Sequence, residues 1–489
     1  MSNASQKQIL KATSIIGGTQ FLTIAIGIVR TKILALLLGP YGLGLVGMFQ
    51  SIIDLVRNLT GFGINYSAVK DVAEAEASGE IQKGNQIITV LRSLVLWTGL
   101  LGFALTIIFA QPLSVFTFGD ENNALSVACL SITLLLSSIS GGQLALLQGK
   151  REIKFMALAS LYGAIYSTLI SIVIYFFYGI SGIVPVLILS SIIPLILSSY
   201  YSRKIYYSRQ QLSIKETLSK GLGMAKLGFF IVVSGFMATL TLYLIRIIIV
   251  NKMNIEGVGF FQASWMISTT YIGIILNAML SDFFPRLSAI NTDKDESNKL
   301  VNEQLEIALV LGTPMIIFLI ASASFLIRLL YSSSFMSTVS ILQWQLFGAF
   351  FTLISWPLGV LFLAKNKGKL SVITDGLWCL LFLGIVYFGW NYYSFVVLGI
   401  GDSIALFFKL LIVIVLVKKI NGFNFSKKNI VNIGFYGSFT FLTMMNVLFF
   451  ESFIQYLISA LLLLVVVIKS LKTLNNLYNF KDKFKRLKL

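Results

Sequence analysis

Four arginines lie inside apolar stretches that are long enough to form helices, and a lysine lies a couple of turns inside another. These cations are Arg30, Arg57, Arg92, Arg246 and Lys409. Placing a guanidinium group in hydrocarbon costs about 2.5–3.5 kcal/mol, so such residues usually serve a function. Guanidinium groups bind phosphate oxygens through paired hydrogen bonds. The five cations therefore predict a hydrated, cationic cavity that binds a phosphate-bearing substrate.

Carboxylates are scarcer in the same stretches. Asp54 precedes Arg57 by three residues, so the two side chains share a helix face and can touch. Asp402 and Lys409 are seven residues apart, on one face but two turns from each other. Asp54 and Asp402 are candidates either for charge pairing or for coupling to an ion such as H+ or Na+. The stretches that contain the four arginines contain only one carboxylate, Asp54. Charge pairing that merely stabilises the helix bundle does not account well for this excess of arginine.

Residue types that commonly carry catalysis are missing or scarce. The sequence has no histidine and two cysteines, Cys129 and Cys379, each inside a predicted helix. Histidine-based acid–base catalysis and imidazole metal ligation are therefore excluded. The sequence also lacks the G-x-x-x-x-G-K-[ST] pattern of a P-loop. We expect no catalytic residues, no metal and no cofactor, and hence a protein that is not an enzyme.

The composition is that of a membrane protein with many spans. Of the 489 residues, 56% are hydrophobic and 12% are charged, and the mean hydropathy is +0.86, whereas soluble chains carry about 25% charged residues. About fourteen stretches reach the roughly 20 residues that a transmembrane helix needs. The predicted spans are residues 11–38, 41–64, 85–109, 124–147, 155–177, 180–201, 226–250, 257–281, 304–328, 338–363, 370–389, 393–417, 429–449 and 452–469.

The net charge of +18 is distributed unevenly over the loops between these spans. Most lysines and arginines fall in alternate loops and at the two ends of the chain. The other loops carry Asp120, Glu121, Glu256 and Glu451. Because cytoplasmic loops are enriched in Lys and Arg, this asymmetry predicts that both termini are cytoplasmic. It also explains the positive charge without nucleic acid as a partner. The basic segment at the C-terminus is expected to contact anionic membrane lipid.

Similar segments recur about 216 positions apart. Arg246 corresponds to Arg30 at this offset, and residues 258–262 match residues 46–50 at an offset of 212. Each copy would contain six helices and run in the same direction through the membrane, which is a parallel repeat. We therefore predict an all-α integral membrane protein with two six-helix lobes around a central cavity. The predicted parts are residues 1–210, residues 221–420, and a C-terminal helix pair with a basic cytoplasmic tail at residues 421–489.

Several short segments near the start of the chain carry a family resemblance. Residues 38–44 read Leu-Gly-Pro-Tyr-Gly-Leu-Gly, residues 63–65 read Gly-Ile-Asn, and residues 69–74 read Val-Lys-Asp-Val-Ala-Glu. Residues 147–151 read Leu-Gln-Gly-Lys-Arg. In these segments the chain resembles the Wzx-type polysaccharide flippases of the multidrug/oligosaccharidyl-lipid/polysaccharide exporter superfamily. The resemblance is good over residues 1–160 and rests mainly on architecture thereafter.

The resemblance implies a transporter of the bacterial inner membrane. Such a protein would move undecaprenyl-pyrophosphate-linked oligosaccharide repeat units to the periplasmic leaflet by alternating access, for assembly of O-antigen or capsule. Its partners would include a polysaccharide polymerase and glycosyltransferases. The cations of the cavity would contact the pyrophosphate and acidic sugars of the substrate.

Two other functions are compatible with parts of the sequence. A cation-coupled drug antiporter of the same superfamily would have more acids than cations in its cavity, which is the reverse of what is found. A membrane polysaccharide polymerase would have a sizeable outer loop with catalytic residues. The loops predicted on the non-cytoplasmic side are each at most roughly fifteen residues long, if the spans have their usual length. We therefore favour the flippase.

Overall fold

The computed structural model describes residues 3–208, 210–450 and 452–478, and these residues are almost entirely helical. The α-helices, in chain order, are α1 Asn3–Thr60, α2 Ile64–Ser78, α3 Ile81–Ile108, α4 Ala110–Phe118, α5 Ala124–Gly149, α6 Ile153–Tyr178, α7 Ile183–Ser202, α8 Ile214–Lys252, α9 Ile255–Ala289, α10 Lys294–Ala321, α11 Ala323–Leu330, α12 Thr338–Ala364, α13 Gly368–Tyr393, α14 Val397–Asn421, α15 Lys427–Phe449 and α16 Ser452–Tyr478. No strand occurs within these three described ranges.

Eleven helical stretches among the described residues are long and apolar enough to cross a membrane. The three longest are Gly18–Thr60, Ile153–Ser202 and Gly368–Asn421, with 43, 50 and 54 residues. Each of these is long enough for two crossings at 1.5 Å per residue, so the eleven stretches accommodate the fourteen predicted spans. The all-α, multi-pass membrane fold is therefore confirmed. The basic tail beyond Tyr478 lies outside the described residues.

The first two predicted spans form one long helix, α1, with a kink between them. Gly39 has φ 64° and ψ −168° and is followed by Pro40. The left-handed φ favours glycine, and proline cannot donate the backbone hydrogen bond that a continuous helix requires. The residues that mark the family resemblance therefore also break α1 into two segments.

Helix α2 lies in a predicted loop and was not expected. It presents Ile64, Ala68 and Val72 to a buried apolar cluster that includes Leu91 of α3. Its far end forms an ion pair between Glu76 and Lys150, which follows α5. The sequence alone favoured a loop because α2 is too short and too polar to span a membrane.

The position of Asp71 on α2 affects its ionisation. Burial raises the pKa of the Asp71 carboxyl, the charge of Glu74 raises it further, and the charge of Lys70 lowers it. The same helix therefore combines a buried apolar face with a carboxyl that is harder to ionise than usual.

The packing divides the chain into two compact units, residues 1–259 and residues 260–489. In the first unit α1 packs against α6 and α8, and α5 packs against α3 and α7. In the second unit α12 packs against α14 and α10, and α10 also packs against α15 and α16. The lobe boundaries drawn from the repeat, at 210–221 and at 420, stay a prediction.

The contact between α12 and α14 depends on small residues. A Cβ atom at Gly348 would lie 2.8 Å from the Cα of Ser403 and 2.9 Å from its hydroxyl oxygen. The Ser403 hydroxyl in turn donates a hydrogen bond to the backbone carbonyl of Trp344. Close approach at a glycine with an interhelical serine hydrogen bond is typical of helix packing in membranes. This contact holds α14, which carries Asp402 and Lys409, against α12.

Candidate functional site

Asp54, in the second segment of α1, is the centre of a small polar group. Arg57 donates a hydrogen bond from Nη2 to Oδ1 of Asp54 over 2.6 Å, and Gln50 donates from Nε2 to the same oxygen over 3.1 Å. The three residues are spaced by three and four positions, which places them on one helix face. The contact between Asp54 and Arg57 expected from the spacing is therefore present. The Arg57 side chain remains 50% exposed.

Arg246 approaches the same carboxylate from α8. It is buried, with 8% of its surface exposed, and the negative charge of Asp54 acts on it electrostatically. A buried guanidinium is strongly destabilising unless a counter-charge and hydrogen bonds compensate for its lost hydration. Asp54 therefore forms an ion pair with an exposed arginine on its own helix and acts electrostatically on a buried arginine of another helix. We call Gln50, Asp54, Arg57 and Arg246 the Asp54 cluster.

Polar contacts between α8 and its neighbours fix the position of Arg246. Asn58 of α1 donates a hydrogen bond from Nδ2 to Oγ1 of Thr239 over 2.8 Å. The hydroxyls of Thr117 and Tyr243 are 2.5 Å apart and share a hydrogen bond. Tyr243 is buried and lies one turn before Arg246. These contacts hold the segment of α8 that carries Arg246 against α1 and α4.

The Asp54 cluster can bind an anion. Two guanidinium groups and one carboxylate leave a net charge of about +1, because arginine stays protonated in proteins. An entering phosphate could take the exposed donors of Arg57 that Asp54 leaves unused, since guanidinium has five N–H groups. Hydrogen bonds to charged groups contribute about 1.5–3 kcal/mol each. The arrangement suits reversible binding of a phosphate-bearing group and contains no nucleophile poised for attack.

Arg30 lies in a different environment, against α6 and α7. Its Nη2 donates a hydrogen bond to the Ser190 hydroxyl over 3.0 Å. Both residues line a cavity of about 290 Å³ together with Ser160 and Ser167. The charge of Arg30 also acts on the Tyr175 hydroxyl. A guanidinium surrounded by hydroxyl groups in a cavity can hold water or an anion, because hydroxyls supply further donors.

Arg92 contacts the segment that joins α7 to α8. Its guanidinium carbon lies 4.4 Å from the centre of the Tyr207 ring, which is a cation–π contact. Its Nε atom is buried without a hydrogen-bond partner among the described residues. This contact is worth about 0.5–2 kcal/mol. The structure thus gives Arg92 a packing contact in addition to any role in binding.

The second unit contains a separate set of charges on α13 and α14. Lys409 Nζ lies 2.7 Å from Oδ1 of Asp375. Asp402 is 4% exposed and accepts a hydrogen bond from Nε1 of Trp378 over 3.0 Å. Asp402 and Lys409 share a face of α14 but do not form a direct ion pair. Lys409 pairs with Asp375 of the neighbouring helix α13 instead. Trp378 was not expected from the sequence.

The structure therefore brings together only part of the predicted site. Asp54, Arg57 and Arg246 form one cluster, whereas the contacts of Arg30 and Arg92 are with other parts of the first unit. Reasoning from sequence missed Gln50, whose spacing of four from Asp54 was a usable signal. It also missed Ser190 and Tyr207, for which no local pattern exists. No group of three or more residues suited to hold a metal ion was found in the part of the chain that the structure describes.

Several known proteins resemble this chain in sequence or in fold. The profile of a family described as "Polysaccharide biosynthesis protein" matches residues 33–340, more than half of the chain. The lipid III flippase of Escherichia coli (strain K12) is 22% identical over 374 residues, which are 75% of this chain and 87% of that protein. The lipid II flippase MurJ, in an inward closed conformation, has a TM-score of 0.71 at 16% identity, covering 95% of this chain and 99% of its own. An inward-facing multidrug resistance MATE family transporter of the MOP superfamily has a TM-score of 0.69 at 16% identity, covering 81% of this chain and 94% of its own.

Proposed function

Because this chain belongs to the polysaccharide biosynthesis protein family, we propose that it is a flippase for undecaprenyl-pyrophosphate-linked oligosaccharide repeat units. It moves them from the cytoplasmic to the periplasmic leaflet of the bacterial inner membrane by alternating access, for assembly of O-antigen or capsule. The apolar helices and the flippase among its relatives support a multi-pass membrane transporter rather than an enzyme. Both termini are cytoplasmic in this proposal, and its partners are a polysaccharide polymerase and glycosyltransferases.

The observation that carries the proposal is the Asp54 cluster. A pyrophosphate headgroup needs fixed positive charge inside the membrane, where water is scarce and charged groups interact strongly. Arg246 supplies buried charge, and the half-exposed Arg57 supplies donors that a headgroup can reach. Asp54 neutralises part of this charge when the site is empty, which makes the two arginines less costly to keep there. The polyprenyl chain would remain in the lipid.

Arg30, Arg92 and Lys409 are assigned lesser roles. Arg30 has hydroxyl neighbours and a cavity, so it can contact a second part of the headgroup. Arg92 stacks on Tyr207 and Lys409 pairs with Asp375, so part of the charge of each is already engaged. Either can join substrate binding only if it exchanges its present partner.

Direction would come from the membrane potential or from an ion gradient. Asp54 and Asp402 are our candidates to carry H+ or Na+, because each lies within a membrane span. Asp402 is buried and accepts a hydrogen bond from Trp378, whereas Asp54 accepts hydrogen bonds from Arg57 and Gln50. Binding of a cation at Asp54 would weaken its hold on the arginines and so couple ion binding to headgroup binding.

The test is export of surface glycan by cells whose own copy of this gene has been deleted and replaced by a variant. We expect Arg246→Ala and Arg57→Ala to reduce export by about 10- to 100-fold, which corresponds to the loss of about 1.5–3 kcal/mol of charge-assisted hydrogen bonding. Lipid-linked repeat units should then accumulate in the cytoplasmic leaflet. Glycan is measured by immunoblot of whole cells, and the variant protein is measured in isolated membranes.

Lys252→Ala is the matched control, because Lys252 is an exposed cation at the end of the same helix as Arg246. It should export glycan at the level of the unaltered protein. Arg57→Lys should retain part of the activity, since it keeps the charge but loses the paired donor geometry. Normal export by both alanine variants, at normal membrane levels, would contradict the proposal.

A further inference from the structure

A basic pocket lies between the last two described helices, in the second unit. Its volume is about 370 Å³, and its lining residues are Lys427, Lys428, Val431, Asn432, Lys469 and Thr473. The residues from α15 lie in its first two turns, and those from α16 lie near its C-terminal end. The pocket therefore sits at one end of two membrane spans and not in the middle of the bilayer.

The pocket carries an excess of positive charge. Lys428 Nζ lies 2.6 Å from Oε1 of Glu306, whose side chain is 8% exposed. Lys469 lies 5.8 Å from the centre of the Phe435 ring. Within the described ranges, Glu306 is the one carboxylate that pairs with any of the three lining lysines. The charge of Lys427 and Lys469 is therefore available to an anion.

A buried amide points to a ligand in the same place. Asn432 is 3% exposed, and its Nδ2 has no hydrogen-bond partner in the described residues. Leaving a buried donor without a partner is destabilising, so an acceptor is expected where the amide faces a cavity. The N-terminal turn of α15 adds partial positive charge from its backbone N–H groups. Together these donors favour a group with several negatively charged oxygens, such as a phosphate.

The surroundings of the pocket favour a lipid as the source of that phosphate. Val431 lines the pocket and is 63% exposed, so an apolar chain can lie beside it. The cytoplasmic leaflet is rich in anionic lipid and attracts lysines near its surface. We propose that the α15–α16 pocket binds the phosphate of an anionic phospholipid headgroup, with Lys427, Lys469 and Asn432 as its ligands. An acyl chain would then lie beside Val431.

The experiment compares lipid binding by the purified full-length protein and by Lys427→Gln/Lys469→Gln. Phosphatidylglycerol is titrated into detergent-solubilised protein, and bound lipid is counted by native mass spectrometry alongside the shift in Tm. Each lysine near an anionic headgroup contributes about 1 kcal/mol, so the double variant should bind on the order of 25-fold more weakly. Phosphatidylcholine should bind much more weakly than phosphatidylglycerol to the unaltered protein.

The matched control is Lys472→Gln, since Lys472 is an exposed lysine of α16, three residues from Lys469, that does not line the pocket. It should bind phosphatidylglycerol as the unaltered protein does.

A second variant, Asn432→Asp, should weaken binding by placing a carboxylate in the pocket, even if the lysine variant folds poorly. Equal weakening by Lys472→Gln, or unchanged binding by the double variant, would overturn the site. Inorganic phosphate that stabilises the protein as well as phosphatidylglycerol would overturn the lipid assignment. None of these readouts depends on glycan export.

Discussion

The two units differ in how the charged side chains within their membrane spans are paired. In the first unit one carboxylate, Asp54, pairs with Arg57 and acts electrostatically on Arg246, while Arg30 donates a hydrogen bond to a serine hydroxyl. In the second unit Lys409 and Asp375 form a one-to-one pair. The first arrangement has surplus positive charge that an anion can satisfy, and the second does not.

This difference bears on how a duplicated membrane protein acquires a function. The sequence repeat relates Arg30 to Arg246, yet the structure gives them unlike surroundings: Arg30 borders a cavity, whereas Arg246 is buried near Asp54. An arginine at a repeated position therefore does not imply a repeated site. The difference supports placing headgroup binding in the first unit, with the pair on α13 and α14 mainly stabilising the second.

The largest expected effect comes from removing the shared carboxylate. Asp54→Ala removes the ion pair with Arg57 and the negative charge that acts on buried Arg246, and breaking a fully buried ion pair costs about 3–5 kcal/mol. Because the side chain of Asp54 is 31% exposed, we expect about 2–3 kcal/mol of lost stability. This would appear as a lower Tm of the detergent-solubilised protein.

The control for this prediction replaces the buried guanidinium as well. Asp54→Ala/Arg246→Met should recover part of the lost stability, because an apolar side chain replaces a buried charge that no longer has the carboxylate of Asp54 nearby. It should still fail to export glycan. If Asp54→Ala alone were as stable as the unaltered protein, the carboxylate would not be balancing the arginines, and the contrast between the units would disappear.

A smaller effect is expected in the second unit. Lys409→Met should lower the stability by about 1–2 kcal/mol, since Lys409 and Asp375 are each about a quarter exposed, at 24% and 28%. Lys409→Met/Asp375→Leu should restore it, because both charges are then replaced by apolar groups. Chemical unfolding of the purified protein measures both changes.

Glycan export distinguishes a stabilising pair from a binding site. If the pair only stabilises the second unit, Lys409→Met/Asp375→Leu should export glycan at the normal level. Loss of export by this stable double variant would show that the second unit also contributes charge to transport. The two units would then be more alike than their contacts indicate.

Much of the fold was predictable because hydrophobic length is a strong signal in membrane proteins. The predicted break between residues 38 and 41 coincides with the kink at Gly39, because a glycine–proline pair disrupts any helix. Helix α2 was not predicted, since its buried face depends on α3 and on the ion pair with Lys150. Such contacts between distant segments leave no pattern within either segment.

The candidate site was predictable only where its partners share a helix. The Asp54–Arg57 contact follows from a spacing of three, and Gln50 could have been added by the same rule. The pairing of Lys409 with Asp375 spans two helices, so the spacing to Asp402 was a poor guide. Contacts between side chains of one helix follow from the helix geometry, whereas contacts between helices depend on how the helices pack.

The smallest expected effect comes from replacing Tyr207, the ring that Arg92 contacts. It tests whether Arg92 is free to bind substrate in the first unit. If its main contact is the Tyr207 ring, Tyr207→Leu should lower the stability by about 0.5–1 kcal/mol. Tyr207→Phe retains an aromatic face and should have little effect, which makes it the matched control. Thermal unfolding of the three proteins at one ionic strength measures the difference.

A loss of export by Tyr207→Leu that Tyr207→Phe does not share would mean that stacking positions Arg92 for the substrate. Normal export would leave Arg92 with a packing role and confine headgroup binding to the Asp54 cluster and Arg30.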